Sequence, residues 1–176
     1  MKIKKFIYKK VNNTNDIAIK IIKKGYRSGI IIAEEQKKGR GQHGRKWLSF
    51  KGNLFLSVFF KINKKKSLKE IIQFNRNIIK KVISSLFKIN ISIKLPNDLL
   101  IGKKKICGIL QETLFFNDSK FLIVGIGINL VKNPFINDYP TTNLLKETGL
   151  KIKSEKIVNI IKKNYEIYLN KFAIKD

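Results

Sequence analysis

The sequence has 1 cysteine, 1 histidine, 1 tryptophan and 3 prolines, and only 12 acidic residues stand against 38 basic ones. A lone thiol, Cys107, cannot close an internal disulfide, which excludes the small stapled scaffolds of secreted proteins and fits a reducing compartment. It lies inside an apolar run and reads as core, not as a nucleophile. The lone histidine, His43, falls in a glycine-rich stretch, a poor place for a general base. No Ser/His/Asp set and no cluster of metal ligands can be assembled, so hydrolytic triads and protein-held metals are not expected. No apolar run reaches the roughly 18 residues of a membrane span. The segment from Met1 to Lys10 lacks the apolar stretch of a signal peptide. A cytoplasmic protein with no membrane partner is the expectation.

Arginine is scarce too. Arg27, Arg40, Arg45 and Arg76 are the only four, and the rest of a formal net charge of +26 is lysine spread along the whole chain. A nucleic-acid-binding domain concentrates its charge on one face or motif. Here lysine rises together with isoleucine and asparagine, as an AT-rich coding sequence would impose, so a solvated lysine coat without specific nucleic-acid recognition is expected. With 43% hydrophobic residues the chain can bury a real core. No linker, repeat or low-complexity stretch divides it, and a single domain over residues 1–176 is predicted.

The scarce residues gather in one place. Gly39-Arg40-Gly41-Gln42-His43-Gly44-Arg45-Lys46-Trp47 holds three glycines, two arginines, a lysine and the only tryptophan. Glycine lets a backbone approach a ligand closely, arginine offers a rigid fork of donors to phosphate or carboxylate, and an indole offers a stacking face. The spacing also spells G-x-G-x-x-G, but no amphipathic helix opens on it and the region that follows is basic, so the dinucleotide-binding fingerprint is excluded. A protein-kinase loop fails for want of VAIK-like and DFG-like partners.

Around this loop the pattern predicts alternating elements. Asn13 or Thr14 caps a helix through Ile17, Ile19, Ile21 and Ile22 that ends near Gly25. Strands are expected at Gly29 to Gln36, Asn53 to Phe60 and Ile91 to Leu95. Ser67 starts a helix with Leu68, Ile71, Ile72, Ile79, Val82, Ile83 and Leu86 on one face. Leu99 to Ile101 and Lys104 to Phe116 form a hairpin around Gly102-Lys103. In the strand Lys120 to Leu130, alternation places Gly125, Gly127 and Asn129 on one face, a surface stripped of side chains on which something can lie flat or pack closely. Val131 to Thr142 reads as a loop. Ser154 caps a last helix bearing Ile157, Ile161, Tyr165, Tyr168 and Phe172. Lys94 is delivered to a strand end before the turn Pro96-Asn97-Asp98, and with Arg40 and Arg45 it makes a positive set suited to phosphoryl chemistry.

Four ordered stretches now resemble one family. GRGQHGRKW resembles the GRGRRGRxW loop of biotin protein ligases. Asn13-Thr14-Asn15 resembles their Ser-Thr-Asn. Lys94-Leu95-Pro96-Asn97-Asp98 resembles KWPND, and Lys105 to Glu112 followed by Gly125 to Asn129 resembles KxxGILxE…GxGIN. The resemblance implies an α+β fold: a mixed, mainly antiparallel sheet flanked by helices, like that of class II aminoacyl-tRNA synthetases. It implies attachment of biotin, through biotinyl-5'-AMP made from ATP with Mg²⁺, to a lysine of a biotin carboxyl carrier protein such as the acetyl-CoA carboxylase subunit. A homodimer is compatible with it. By the same resemblance, Asn13, Thr14, Asn15, Gln36, Arg40, Gly41, Gln42, Lys94 and Gly108 would hold biotin. Arg40, Arg45, Trp47, Lys94, Gly125, Gly127 and Asn129 would hold ATP or the adenylate, with Lys94 and Arg40 catalytic. The chain departs from the pattern at Asn13 (for serine), Leu95 (for tryptophan), and Gln42 and His43 (for two arginines). Neither an N-terminal helix-turn-helix nor a C-terminal β-barrel is expected in it, and so no repressor role. A lipoate or octanoate ligase is the nearest rival, disfavoured because a lipoyl tail has no ureido group for the Asn-Thr-Asn cluster to bond.

Overall fold

The computed structural model describes residues 2–62 and 67–171. Its centre is a seven-stranded sheet. Strands β1 (Lys4–Val11), β2 (Ser28–Gln36), β3 (Leu54–Lys61), β4 (Ser92–Lys94), β5 (Asp98–Ile101), β6 (Lys104–Phe116) and β7 (Ser119–Ile128) lie in the order β1-β2-β3-β7-β6-β5-β4. Only β1 and β2 run parallel; every other pair is antiparallel. The sheet is thus mixed and mainly antiparallel, as the resemblance implies. Helices α1 (Thr14–Lys23), α2 (Leu68–Phe87), α3 (Leu144–Thr148) and α4 (Ser154–Lys171) complete the described elements.

Period-2 alternation decides the two faces. Leu54, Leu56, Val58 and Phe60 of β3, with Leu122, Val124, Ile126 and Ile128 of β7, point to one side. There they pack on Ile79 and Ile83 of α2 and Ile157, Ile161 and Tyr165 of α4 in the main core. Phe59, Phe121 and Ile123 point to the other side, under Ala18, Ile21 and Ile22 of α1. That second face changes character along its length. At one end it is aromatic and aliphatic and supports α1. At the other end the same alternation yields Ser57, Gly125 and Gly127, and the sheet is nearly bare.

The predicted α1 cap is present: Asn13 Oδ1 accepts from Asp16 N at 2.8 Å. Other expectations are corrected in detail. β1 was not legible in the sequence. It is an edge strand whose lysines interrupt the alternation, and only Val11 of its eight residues is buried. Ser67 precedes α2 without a side-chain cap bond. Ser154 is the first residue of α4 and not its cap, since Lys156 N bonds Lys153 O. Phe172 lies outside the described residues. The short α3 was missed; Asn143 caps it by accepting from Lys146 N at 2.9 Å.

β7 ends at Ile128, two residues earlier than predicted, and the cause is Asn53. Its buried Oδ1 accepts from Leu130 N, Val131 N and Lys132 N at 3.0, 3.0 and 3.1 Å, and so turns the chain out of the ladder. The following loop returns to the sheet through Thr142, whose hydroxyl donates to Glu147 Oε1 at 2.7 Å; Lys104 Nζ reaches the same oxygen at 3.1 Å. The Thr142 bond first, then Lys104, holds the Glu147 carboxyl below its ordinary range. A depressed carboxyl stabilises the fold above its ordinary pKa, and that contribution is lost as pH falls through the lowered value. Protection of the amides of residues 142–145, relative to the unfolded chain at the same pH, should therefore fall as pH drops below the ordinary carboxylate range, and Glu147→Gln should flatten that dependence. Equal acid sensitivity in both proteins would show that Glu147 does not anchor the loop.

Candidate active site

The bare end of the second face is the floor of a cavity of about 300 Å³, lined among others by Asn15, Gln36, Arg40, Trp47, Lys94 and Lys105. Cross-strand register builds it. Gly108 of β6 lies opposite Gly127, and Leu110 opposite Gly125. A Cβ on Gly127 would stand 2.4 Å from Trp47 Cε2, and one on Gly108 2.6 Å from Trp47 Cζ3. A Cβ on Gly125 would stand 2.5 Å from Asn15 Oδ1. The glycines therefore make room first for two of the protein's own groups. The indole lies on Gly108 and Gly127, and the Asn15 carboxamide lies on Gly125. Gly125 thus faces Asn15, whereas Gly127 and Gly108 face Trp47.

The polar floor is a connected network. Ser57 Oγ, fully buried in an otherwise apolar strand, donates within reach of both Asn15 Oδ1 (2.5 Å) and Thr14 Oγ1 (2.7 Å). Gln36 Oε1 accepts from Thr14 N at 2.9 Å and lies 3.3 Å from Thr14 Oγ1, while its Nε2 donates to Ser49 Oγ at 3.2 Å. Asn15 Nδ2 donates to Glu112 Oε2 at 2.6 Å. Asn13 lines the cavity, but both ends of its side chain are spent on Asp16, Oδ1 on the backbone N–H and Nδ2 on Oδ2 at 2.6 Å.

The glycine loop is folded on itself. Trp47 N bonds Gly39 O at 2.9 Å and Gly41 N bonds Arg45 O at 2.7 Å, around a single 3₁₀ turn at Gln42–Gly44. Arg40 Nη2 donates to Asp16 Oδ1 at 3.0 Å and Glu112 Oε2 at 3.1 Å. The predicted phosphate-binding arginine is thus held by two carboxylates. Arg45, His43 and Lys94 are exposed at the mouth, and Gln42 is half-buried there.

Sequence reasoning missed five contributors: Asp16, Ser57, Lys105, Glu112 and Tyr139. Lys105 is the most central. It pairs with Asp98 at 2.8 Å and stands 5.5 Å from the Trp47 ring and 5.2 Å from that of Tyr139. Lys105 and Glu112 both fall inside a quoted motif, and Ser57 is a lone hydroxyl amid LFLSVFFK; those were the available signals. Asn129 donates Nδ2 to Thr142 O at 3.1 Å. Its Oδ1 and Trp47 Nε1 are buried without partners, and both residues line one small cavity with Lys105 and Tyr139. Buried polar groups of this kind cost free energy until something bonds them.

Cys107 is fully buried in β6, and burial pushes its thiol far up. The native chain should resist iodoacetamide at pH 8 over a time in which the unfolded chain reacts completely. Fast native alkylation would contradict this burial.

A mixed sheet with a bare glycine face, roofed by an Arg-Gly loop and floored by carboxamides, defines a small-ligand site. Residues 7–129 match the model of the Biotin/lipoate A/B protein ligase family, and the chain belongs to that family. It is 31% identical over 149 residues to the bifunctional ligase/repressor BirA of Escherichia coli (strain K12), a match covering 81% of this chain and 46% of that protein. Among solved structures, the biotin protein ligase from Aquifex aeolicus in complex with biotin and ATP superposes with a TM-score of 0.77 at 29% identity, covering 98% of this chain and 73% of that one. The Leishmania major biotin protein ligase in complex with biotinyl-5-AMP shares the fold, with a TM-score of 0.80 at 24% identity, covering 90% and 71%. The chain spans about half the length of the curated BirA relatives it matches. No helix among the described residues is long and apolar enough to cross a membrane.

Proposed function

We propose that this domain activates biotin with ATP and transfers it to a lysine of a biotin carboxyl carrier protein. One observation carries the reading: the hydroxyl and carboxamides of Thr14, Asn15 and Gln36 line one part of the cavity, and Lys94 and Arg45 stand exposed at its mouth. A ureido group has two donors and one acceptor that must be satisfied in a buried place. Thr14, Asn15 and Gln36 line the cavity there, with the buried Ser57 hydroxyl holding Thr14 and Asn15 from beneath. A molecule with a neutral hydrogen-bonding head and a carboxylate tail fits that polarity, with its tail toward Lys94 and Lys105. A lipoyl head has nothing to offer the floor.

The reaction then has two steps. A carboxylate oxygen attacks the α-phosphorus of ATP, and the bond to the β-phosphate oxygen breaks with its electron pair leaving on pyrophosphate. The carrier lysine's neutral amine next attacks the acyl carbonyl; the bond to AMP breaks and the amine's proton passes to solvent. Lys94, Lys105, Arg40 and Arg45 are the cations available to the negative charge that gathers on the phosphoryl oxygens. The two unpartnered atoms, Trp47 Nε1 and Asn129 Oδ1, supply a donor and an acceptor suited to an adenine edge. Among the described residues no group of three His, Cys, Asp or Glu side chains could hold a metal. Mg²⁺ would thus enter with the nucleotide phosphates, and no step is assigned to a protein-bound ion.

Pyrophosphate exchange measured with biotin, with lipoate and with no acid tests the reading. Biotin-dependent exchange is expected. Exchange with lipoate alone, or independent of any acid, overturns it.

A further inference from the structure

Arg76 is one of only four arginines in the chain, and its guanidinium reaches the turn that presents Lys94. Nη1 donates to Pro96 O at 2.8 Å, and Nε is buried without a partner, so the head of the side chain is packed in place. Pro96 stands at the rim of the cavity beside Leu95 and Asn97. The turn needs support from outside its own ladder. β4 is 3 residues long, lies at the edge of the sheet and pairs with β5 alone. The β5–β6 pairing that follows shifts register between Leu99 and Leu100. Two carbonyls of the turn are bonded from elsewhere in the fold: Pro96 O by Arg76, and Asn97 O by Ile109 N at 2.9 Å.

A donor can position a turn only if it is itself held, and α2 supplies the footing. Asn75, the preceding residue, is fully buried. Its Nδ2 donates to Gln111 Oε1 at 2.7 Å, and its Oδ1 accepts from Tyr165 OH at 2.9 Å. Gln111 Nε2 returns to Ile72 O at 3.2 Å. This buried network ties the middle of α2 to β6 and α4 inside the main core. From that fixed point the planar fork of Arg76 extends to a turn at the rim of the cavity.

Resting on the biotin-ligase reading, we infer that Arg76 is a positioning residue for adenylate formation. It fastens the Pro96 carbonyl to α2, and so fixes the backbone from which Lys94, two residues earlier, reaches the phosphoryl oxygens. A lysine ammonium rides on a long flexible stem, so its placement is no better than that of the backbone beneath it. Arg76 touches neither substrate and acts through Lys94.

Arg76→Met tests this, because it keeps a long apolar stem on the helix and removes the donor and the charge. Single-turnover formation of the biotinyl adenylate should be about tenfold slower, on the scale of a displaced catalytic group. In a Lys94→Ala background the same substitution should cost less than about twofold, since residues that act through one another are not additive. An arginine whose charge acted on the nucleotide directly, or which merely supported the fold, would cost the same factor in both backgrounds. That result, or a wild-type rate in Arg76→Met, overturns the assignment. Arg76→Lys, which keeps the charge and one donor on a shorter reach, serves should Arg76→Met fold poorly. Its smaller loss should likewise vanish without Lys94, and a loss that persists there overturns the assignment equally. The Ile109 amide, bonded to the next carbonyl of the turn, reports the fastening without any activity. It should exchange hydrogen about tenfold faster in Arg76→Met, and wild-type protection there overturns the fastening. A wild-type chain that makes no adenylate from biotin would sink the functional reading instead, and the amide measurement would still decide whether Arg76 holds the turn.

Discussion

Lys94→Ala is expected to form the biotinyl adenylate about a hundredfold more slowly than the wild-type chain while melting at the same temperature. Losing one preorganised donor to a developing oxyanion costs roughly 10²–10³ in rate. Lys94 is exposed at the end of β4, and its side chain makes no hydrogen bond or ion pair among the described residues, so folding should lose almost nothing with it. Lys105→Ala should show a similar loss of rate with a different signature. Lys105 is only 14% exposed and neutralises an Asp98 that is 21% exposed. Removing it strands a half-buried carboxylate at a cost of about 1–3 kcal/mol, which would lower the melting temperature by several degrees. Single-turnover adenylate formation and a thermal melt on both variants settle the assignment. Wild-type rates in Lys94→Ala, beside a large loss in Lys105→Ala, would leave the phosphate charge to Lys105 and remove Lys94 from the catalytic set.

Gly127→Ala and Gly125→Ala should separate the two halves of the site. A methyl group on Gly127 collides with the rigid Trp47 indole, and its Cβ would also stand 2.6 Å from Trp47 Nε1. The ring must leave the sheet, and the indole and Asn129 no longer share one cavity wall. The KM for ATP should rise at least tenfold with biotin affinity less affected. A methyl on Gly125 collides instead with Asn15, whose carboxamide is bonded at both ends. Moving it breaks those bonds, so the biotin KM should rise at least tenfold with ATP less affected. Each variant should also lose about 1–3 kcal/mol, as overpacked sites do. Identical effects on both substrates in the two variants would contradict a partition of the bare face into an acid half and a nucleotide half.

How much of this could be read from the sequence depended on whether the signal was local. The α1 cap is a four-residue pattern, and α2 repeats its apolar residues at helical spacing over 20 residues; both were legible. So was the alternation of Gly125 and Gly127, since period 2 needs no partner strand to be seen. What those glycines face was not legible. Trp47 and Asn15 arrive from distant parts of the chain, and only the β6–β7 register joins Gly108 to Gly127. β1 was missed because the outermost strand of a sheet can carry lysine on nearly every position and still pair. The bonds of Arg40 were missed for a related reason. A cation near a predicted anion site was assigned to the ligand, whereas the fold brings two carboxylates to it from positions 24 and 72 residues away.

The clasp at the base of the glycine loop has a consequence for how this surface can change. Trp47 N returns to Gly39 O, and Gly41 N to Arg45 O, so the indole is placed by a ring of backbone bonds that excludes the tip. Residues 42–44 are then a turret on a fixed base. Substitution there, including at Gln42 and His43, alters what the roof presents to solvent and to the cavity mouth without shifting the indole beneath it. The same independence makes the tip a natural place to graft a short foreign peptide.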